Sequence, residues 1–159
     1  MIYYTRMDSP IGGLILTADA RGFTGLYMQD RVTDGWHQDP GPFREAVPQI
    51  TAYFARSLQR FDLPLVFDGT AFQLDVWKAL CDIPYGTVIS YGELAGRVGR
   101  RSASRAVGAA NGRNPISIIA PCHRVIGADG SLTGYGGGLD KKLWLLRHEG
   151  APLRAVAAR

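Results

Sequence analysis

The chain has 159 residues, 46% hydrophobic and 20% charged, a balance that excludes wholesale disorder and a length that can bury a core without staples. No apolar run approaches the ~18–20 residues of a membrane span, and residues 1–6 carry no signal-like apolar stretch. Two cysteines and three histidines exclude a disulfide framework and a four-cysteine zinc site, so a reducing, cytoplasmic setting without a metal is expected. The formal net charge of +4 is unevenly spread. Residues 1–69 hold 6 Lys and Arg against 8 Asp and Glu, net −2, while residues 70–159 hold 12 against 6, net +6. That asymmetry points to a polyanionic partner for the second half, with a merely solvated basic face as the plainer alternative.

In chain order, residues 2–7, 14–18 and 23–28 read as strands separated by the turn clusters Ser9-Pro10-Ile11-Gly12-Gly13 and Asp19-Ala20-Arg21-Gly22. Residues 30–42, rich in Asp, Gly and Pro, read as a loop. Val47, Ile50, Tyr53, Phe54 and Leu58 recur at helical spacing over residues 43–58, with Pro48 marking where the regular helix begins. Residues 61–67 read as a strand, and Asp68-Gly69-Thr70 is the best domain boundary. Beyond it, Phe72, Val76, Trp77, Leu80 and Cys81 stripe a helix over 71–81, which places Cys81 in the core. Tyr91, Leu94, Ala95 and Val98 mark a short helix, and Gly99-Arg100-Arg101-Ser102 a turn. A second short helix spans 102–111, with Ser102 as its N-cap. The apolar run 116–120 leads into Pro121-Cys122-His123-Arg124, and residues 127–138 form a glycine-rich loop. The last helix, 139–148, ends before Gly150, and the Ala- and Arg-rich tail beyond it is expected to fray.

Two short helices joined by a glycine-containing turn outline a helix-turn-helix, although a purely structural helical hairpin has the same outline. The second helix carries Ala103, Ser104, Ala106, Gly108, Ala109 and Ala110, with Arg105 as its long side chain. Major-groove readers present long polar side chains to base edges, and this helix has almost none. A nearly bare helix suits close approach to a minor groove, with little sequence preference; tight packing inside the domain is the alternative. Arg100, Arg101 and Arg113 flank it and could hold phosphates.

Cys122 is the candidate nucleophile, because an adjacent His and positive charge favour the reactive thiolate. In an extended segment His123 would point away from Cys122, so a turn or a bridging water must connect them. A basic His needs a third group to orient it, and Glu149, one of three glutamates, is a candidate.

The octamer Ile119-Ala120-Pro121-Cys122-His123-Arg124-Val125-Ile126 resembles the active-site signature of the O6-alkylguanine-DNA alkyltransferases, also called methylated-DNA–protein-cysteine methyltransferases. Ile83-Pro84-Tyr85-Gly86 with Ser90-Tyr91, Arg105-Ala106-Val107-Gly108, Asn114-Pro115, Gly134-Tyr135-Gly136-Gly137-Gly138, Trp144-Leu145-Leu146 and His148-Glu149-Gly150 follow the family order, covering about residues 70–150. The first third resembles the family only in layout, including Asp8-Ser9-Pro10-Ile11-Gly12.

The resemblance implies an α+β protein: a small N-terminal antiparallel sheet with a helix, ribonuclease-H-like, over residues 1–69, and a mainly α-helical DNA-binding and alkyl-transfer domain over 70–159. It implies single-turnover repair of O6-alkylguanine, with O4-alkylthymine as a further lesion, in double-stranded DNA bound through its minor groove. The base is flipped out, since an atom inside the stack is otherwise beyond reach. By position, Cys122 takes the alkyl group as a thioether, His123 and Glu149 deprotonate it through water, Tyr91 is the proton donor and Asn114 braces the active-site turn. Arg105 enters the stack, with Ser102, Ala103, Ser104, Arg100, Arg101 and Arg113 along the DNA. Val125, Tyr135, Gly136, Gly137 and Trp144 line the pocket. No cofactor, metal or membrane is implied; the protein is expected to act as a monomer, with cooperative assembly on DNA left open. Departures are Gly136, where many relatives carry Ser or Ala, and Ser104, where a smaller Ala would clear the groove. Two readings of other classes stand beside this one. A non-catalytic DNA-binding module is disfavoured by the presence of Cys122, and a Cys-His hydrolase would leave the small-faced helix without a purpose.

Overall fold

The computed structural model describes residues 1–153; the fraying expected of the tail falls largely on residues outside these. The chain divides into two compact units, Met1–Phe67 and the residues from Asp68 onward.

In the first unit, β1 (Tyr3–Met7), β2 (Leu14–Asp19) and β3 (Gly22–Tyr27) form an antiparallel meander, and β4 (His37–Gln38) adds to the free edge of β1, giving the order β3-β2-β1-β4. Strand β2 is central and buried from Leu14 to Ala18, so its apolar residues run continuously instead of alternating. Helix α1 (Ala46–Phe54) turns Ala46, Ile50 and Tyr53 into this core.

Several expectations are corrected here. Residues 30–42 are not all loop: β4 pairs parallel to β1, so the sheet is mixed, not wholly antiparallel. Two polar residues held by backbone bonds, with His37 N–H on Ile2 O at 2.8 Å and Asp39 N–H on Tyr4 O at 3.0 Å, leave no hydrophobic signature. Residues 61–67 do not form a strand. Pro64 has no N–H to offer a ladder, and the segment makes one parallel bridge, Phe23 to Leu65. Gly22 permits that contact, because a Cβ there would lie 2.4 Å from Pro64 O. Helix α1 begins at Ala46, two residues before Pro48, which sits in the first turn where its missing N–H costs nothing. It stops at Phe54, short of Leu58, in a Schellman motif: Ser57 N–H meets Ala52 O and Arg56 N–H meets Tyr53 O, with Arg56 at φ 64°.

In the second unit, α2 (Ala71–Leu80) and α3 (Tyr91–Arg97) each start on a reciprocal capping box, Thr70 with Gln73 and Ser90 with Glu93. Helix α3 ends in another Schellman motif, with Gly99 at φ 73° and Arg100 N–H on Ala95 O. Helix α4 (Ser104–Gly112) begins after Ala103 without a side-chain cap, so Ser102 is not the N-cap. The Trp77 indole donates to Ala110 O at 2.8 Å and ties α2 to the end of α4. Strands β5 (Ile89–Ser90) and β6 (Val125–Ile126) pair in parallel, bringing the end of the Pro-Cys-His-Arg segment beside the start of α3. Helix α5 (Leu139–His148) buries Leu145 and Leu146. Cys81 is not a core residue: it is the C-cap of α2, one position past the last buried residue of the stripe, and is exposed.

Candidate active site

Residues 116–124 are built of tight turns, not an extended strand. Asn114 organises the first: its Oδ1 accepts from Ile116 N–H at 3.0 Å, and its Nδ2 donates to Ala120 O at 2.7 Å and Ile116 O at 3.3 Å. These bonds hold Ile118 at φ 72°, a left-handed conformation that a β-branched residue adopts only under constraint. Cys122 N–H then bonds Ala120 O across Pro121, an inverse γ-turn, and Cys122–Arg124 forms one 3-10 turn. Of the two ways to connect Cys122 and His123, the backbone supplies the turn.

This places Cys122 inside the protein, 4% exposed, and makes Cys81, expected in the core, the exposed thiol. Burial pushes the Cys122 thiol up, against the opposing influence of Asn114, the Lys142 charge and Ser117. Burial also pushes Cys81 up, to about 11, helped by the Asp82 charge.

Behind Cys122 lies a buried ionic cluster. His123 Nε2 is 2.8 Å from Glu149 Oε2, so the predicted orienter is in contact with its histidine. Arg124 closes on the same carboxylate with two bonds, Nε to Oε1 at 2.8 Å and Nη2 to Oε2 at 2.9 Å, and sends Nη1 to Ile83 O at 2.6 Å. Glu149 is the C-cap of α5, where the helix dipole disfavours an anion. Burial would raise its carboxyl, but the bonds and charges of His123 and Arg124 outweigh both effects and hold it well below the usual carboxylate range. Burial lowers His123, and Arg124 and Lys142 lower it further against the pull of Glu149, so the imidazole is kept neutral. A neutral ring bonded to a carboxylate donates through Nε2, which leaves Nδ1 as a proton acceptor. Nδ1 is buried and has no hydrogen-bond partner among the described residues.

On the other side of Cys122, Tyr91 at the first position of α3 donates to Thr133 O at 3.0 Å, and Lys142 Nζ reaches the same carbonyl at 2.9 Å. Burial lowers Lys142 to about 8, opposed by the Cys122 charge. Tyr135 has its hydroxyl buried near Cys122 and Ser117, and burial pushes it well up. Trp144 stacks on His148 at 4.8 Å, a contact within α5. Gly136 is exposed, and a Cβ there would meet nothing within 4 Å. Val125 is buried in β6, and Gly137 is half-buried in the turn before α5.

The exposed face of α4 consists of Arg105, Ala106, Ala109 and Gly112, while Val107, Ala110 and Asn111 face inward. Arg101, Ser102 and Arg113 are exposed at its ends, with Ala103 and Ser104 half-buried. Arg100 is exposed but lies 5.8 Å over the Phe72 ring, which engages its guanidinium.

Three site residues were missed. Arg124 was read only as a nearby charge, and an arginine beside a histidine does not announce which carboxylate it will clamp. Lys142 sits at an inward position of the α5 stripe, where the helical period places it with Leu145 and Leu146; that offset was the available signal. Asn111, the last residue of the helix expected over 102–111, is buried and donates to Cys122 O at 3.4 Å. Among the described residues, no three His, Cys, Asp or Glu converge as metal ligands.

Comparison with known proteins agrees over both units. Residues 2–67 match the 6-O-methylguanine DNA methyltransferase ribonuclease-like domain, and residues 71–151 the DNA-binding domain of the same group. The methylated-DNA–protein-cysteine methyltransferase of Mycobacterium tuberculosis is 53% identical over 153 residues, covering 94% of this chain and 93% of that one. That of Methanosarcina acetivorans is 50% identical, covering 94% and 99%. The solved M. tuberculosis O6-methylguanine methyltransferase superposes with a TM-score of 0.89 at 51% identity, covering 98% of this chain and 97% of its own. The M. tuberculosis OGT structure in complex with DNA gives 0.89 at 53%, covering 94% and 95%. With a buried Pro-Cys-His-Arg turn joined to Glu149 and both halves matched along their length, the chain belongs to the methylated-DNA–protein-cysteine methyltransferase family.

Proposed function

We propose that this protein repairs O6-alkylguanine in DNA by taking the alkyl group onto Cys122, once per molecule. The observation that carries the reading is the buried array Cys122–His123–Glu149–Arg124 in the same compact unit as a helix whose exposed face is bare except for Arg105. Family membership and the relative solved with DNA support DNA as the partner. The small residues of α4 support docking in the narrow minor groove, with Arg101 and Arg113 on phosphates and Arg105 filling the stack after the base is flipped. The protein acts as a monomer in the compartment that holds DNA. No helix among the described residues is long and apolar enough to cross a membrane.

The resting thiol gives its proton to His123 Nδ1 through one water, and Glu149 stabilises the imidazolium that results. Cys122 Sγ attacks the alkyl carbon, the S–C bond forms as the C–O6 bond breaks, and the electron pair stays on the purine. Tyr91 supplies a proton to the departing guanine and is reprotonated from the imidazolium side. Backbone carbonyls of Cys122 and Val125 and amides around Tyr135, Gly136 and Gly137 hold the base edges, with Tyr135 and Trp144 as walls. A thioether has no ready route back to a thiol, so the protein is spent.

The test is to mix the protein with a duplex carrying O6-methylguanine and digest it. The Cys122 peptide gains the mass of one methylene; no gain with excess lesion overturns the reading.

A further inference from the structure

The turn Ile83-Pro84-Tyr85-Gly86, between α2 and β5, reaches back over the ionic cluster. Pro84 O accepts from Thr87 N–H at 3.2 Å and from Thr87 Oγ1 at 2.8 Å, and Gly86 takes φ 76° at the third position, as a type II turn requires. Three parts of this segment meet the cluster. Ile83 O accepts from Arg124 Nη1 at 2.6 Å. The centre of the Tyr85 ring lies 5.7 Å from Arg124 Cζ, within the range of a cation–π contact. Gly86 lies so close to the Glu149 carbonyl that a Cβ would come within 3.0 Å of its oxygen. Arg124 is 5% exposed and Tyr85 half-buried, so the ring forms the outer layer over the guanidinium. The turn itself does not call for an aromatic at this place, since its backbone favours Pro there.

This inference rests on the function proposed above, in which a neutral His123 takes the Cys122 proton. We propose that Tyr85 is a positioning residue for that base: its ring seals Arg124 from solvent and holds the Arg124–Glu149–His123 array in register behind Cys122. Burial and the Arg124 charge keep the imidazole neutral against the pull of Glu149. Water admitted to the guanidinium weakens both effects, while the His123–Glu149 contact at 2.8 Å remains to favour the imidazolium. Loss of the ring therefore leaves more of the resting base already protonated and unable to accept from the thiol. The other titratable groups around the array are Lys142 and His148 on α5, Cys122 beside His123, Tyr135 in the glycine-rich loop, and Cys81 with Asp82 at the end of α2. All of them are present in every variant of the test.

The test follows the single-turnover rate on a duplex carrying O6-methylguanine as a function of pH. The wild-type rate falls on the acid side, below the ordinary imidazole value of 6.5, as His123 gains a proton. Tyr85→Leu moves the midpoint of that fall up by roughly 0.5–1 pH unit, the equivalent of one cation–π contact, and leaves the rate above the midpoint near that of wild type. Tyr85→Phe keeps the ring and with it the wild-type midpoint. A merely structural defect lowers the whole profile without moving its midpoint. Pentafluorophenylalanine in place of Tyr85 keeps the shape of the ring but removes the negative charge from its face, so it moves the midpoint even where the Leu variant fails to fold. A midpoint unmoved in the variants that fold, or moved as far by Tyr85→Phe, overturns the role of Tyr85 while leaving the alkyl-transfer reading intact. A wild-type protein that takes no alkyl group overturns both.

Discussion

Replacing Glu149 by Gln removes one negative charge from beneath three donors, His123 Nε2 at 2.8 Å and Arg124 Nε and Nη2 at 2.8 and 2.9 Å. Arg124 stays charged and buried, with Ile83 O and at most the one neutral amide oxygen of the variant to accept from it. Removing one member of a buried ion pair costs about 3–5 kcal/mol, because the other is left uncompensated. That is the loss expected at neutral pH in a urea titration followed by fluorescence. The pH dependence adds a sign. The Glu149 carboxyl is held below its ordinary 4.5 in the folded state, so its contribution is full above that pH and drains away as the pH falls below it. His123, held below its ordinary 6.5, also makes stability fall as the pH drops, starting from that higher value. Wild-type stability therefore declines in two stages on acidification, and Glu149→Gln lacks the second. The gap between the wild-type and variant curves is present at neutrality and closes only as the pH falls below about 4.5. A difference under about 1 kcal/mol that is flat with pH, the behaviour of an exposed pair, would refute a buried ionic array at this position.

Other expectations are sharper for activity. Cys122→Ser abolishes alkyl transfer, read by mass spectrometry, and leaves affinity for undamaged duplex within about twofold, since exchanging one buried sulfur for oxygen touches no phosphate. Arg105→Ala slows repair in duplex DNA far more than on a free modified base; equal slowing would remove it from the flipping step. Lys142, lowered to about 8, loses its charge as the pH rises through that value, and with it the field that favours the Cys122 thiolate. The transfer rate accordingly bends downward above about pH 8, and Lys142→Met removes that bend. Arg56→Gly stabilises the first unit by about 0.5–1 kcal/mol, because the left-handed Schellman position at φ 64° suits a residue without a Cβ; an unchanged denaturation midpoint would contradict the strain argument.

The parts of the fold legible in sequence were those where burial repeats with the helical period. The helices expected over 71–81 and 139–148 differ from α2 and α5 by at most a residue at their ends. What escaped was held by the backbone. Strand β4 consists of two exposed polar residues on the edge of β1, and the stretch around Leu65 has the composition of a strand but a proline where a donor is needed. Ser102 offered good capping chemistry one residue too early, because the Schellman turn at Gly99 sets where the chain re-enters the helical state. At the site, the neighbours of Cys122 in sequence were visible, and Glu149 stood out as a candidate orienter that the resemblance reinforced. Arg124 and Asn111 were not visible in those roles, because their contacts with Glu149 and Cys122 O span 25 and 11 residues.

The two cysteines show why that matters for the chemistry. Sequence reasoning credits Cys122 with a lowered pKa because His123 and Arg124 follow it. In the fold Arg124 is turned away onto Glu149 and Ile83, His123 is neutral, and the thiol is raised by burial. The charged neighbours thus serve the base more than the nucleophile: Arg124 holds Glu149 ionised, and Glu149 holds the His123 tautomer with Nδ1 open. On the proposed function this suits a residue that reacts once. A permanently ionised thiol would be exposed to oxidation and stray electrophiles between lesions, and each such event would consume a molecule. A buried neutral thiol beside a neutral acceptor reacts only when a bound base presents an alkyl carbon and the proton has somewhere to go. The resting protein should therefore react slowly with small thiol reagents at Cys122. At Cys81, exposure favours such reagents, while its thiol, raised to about 11, holds the rate down near neutral pH.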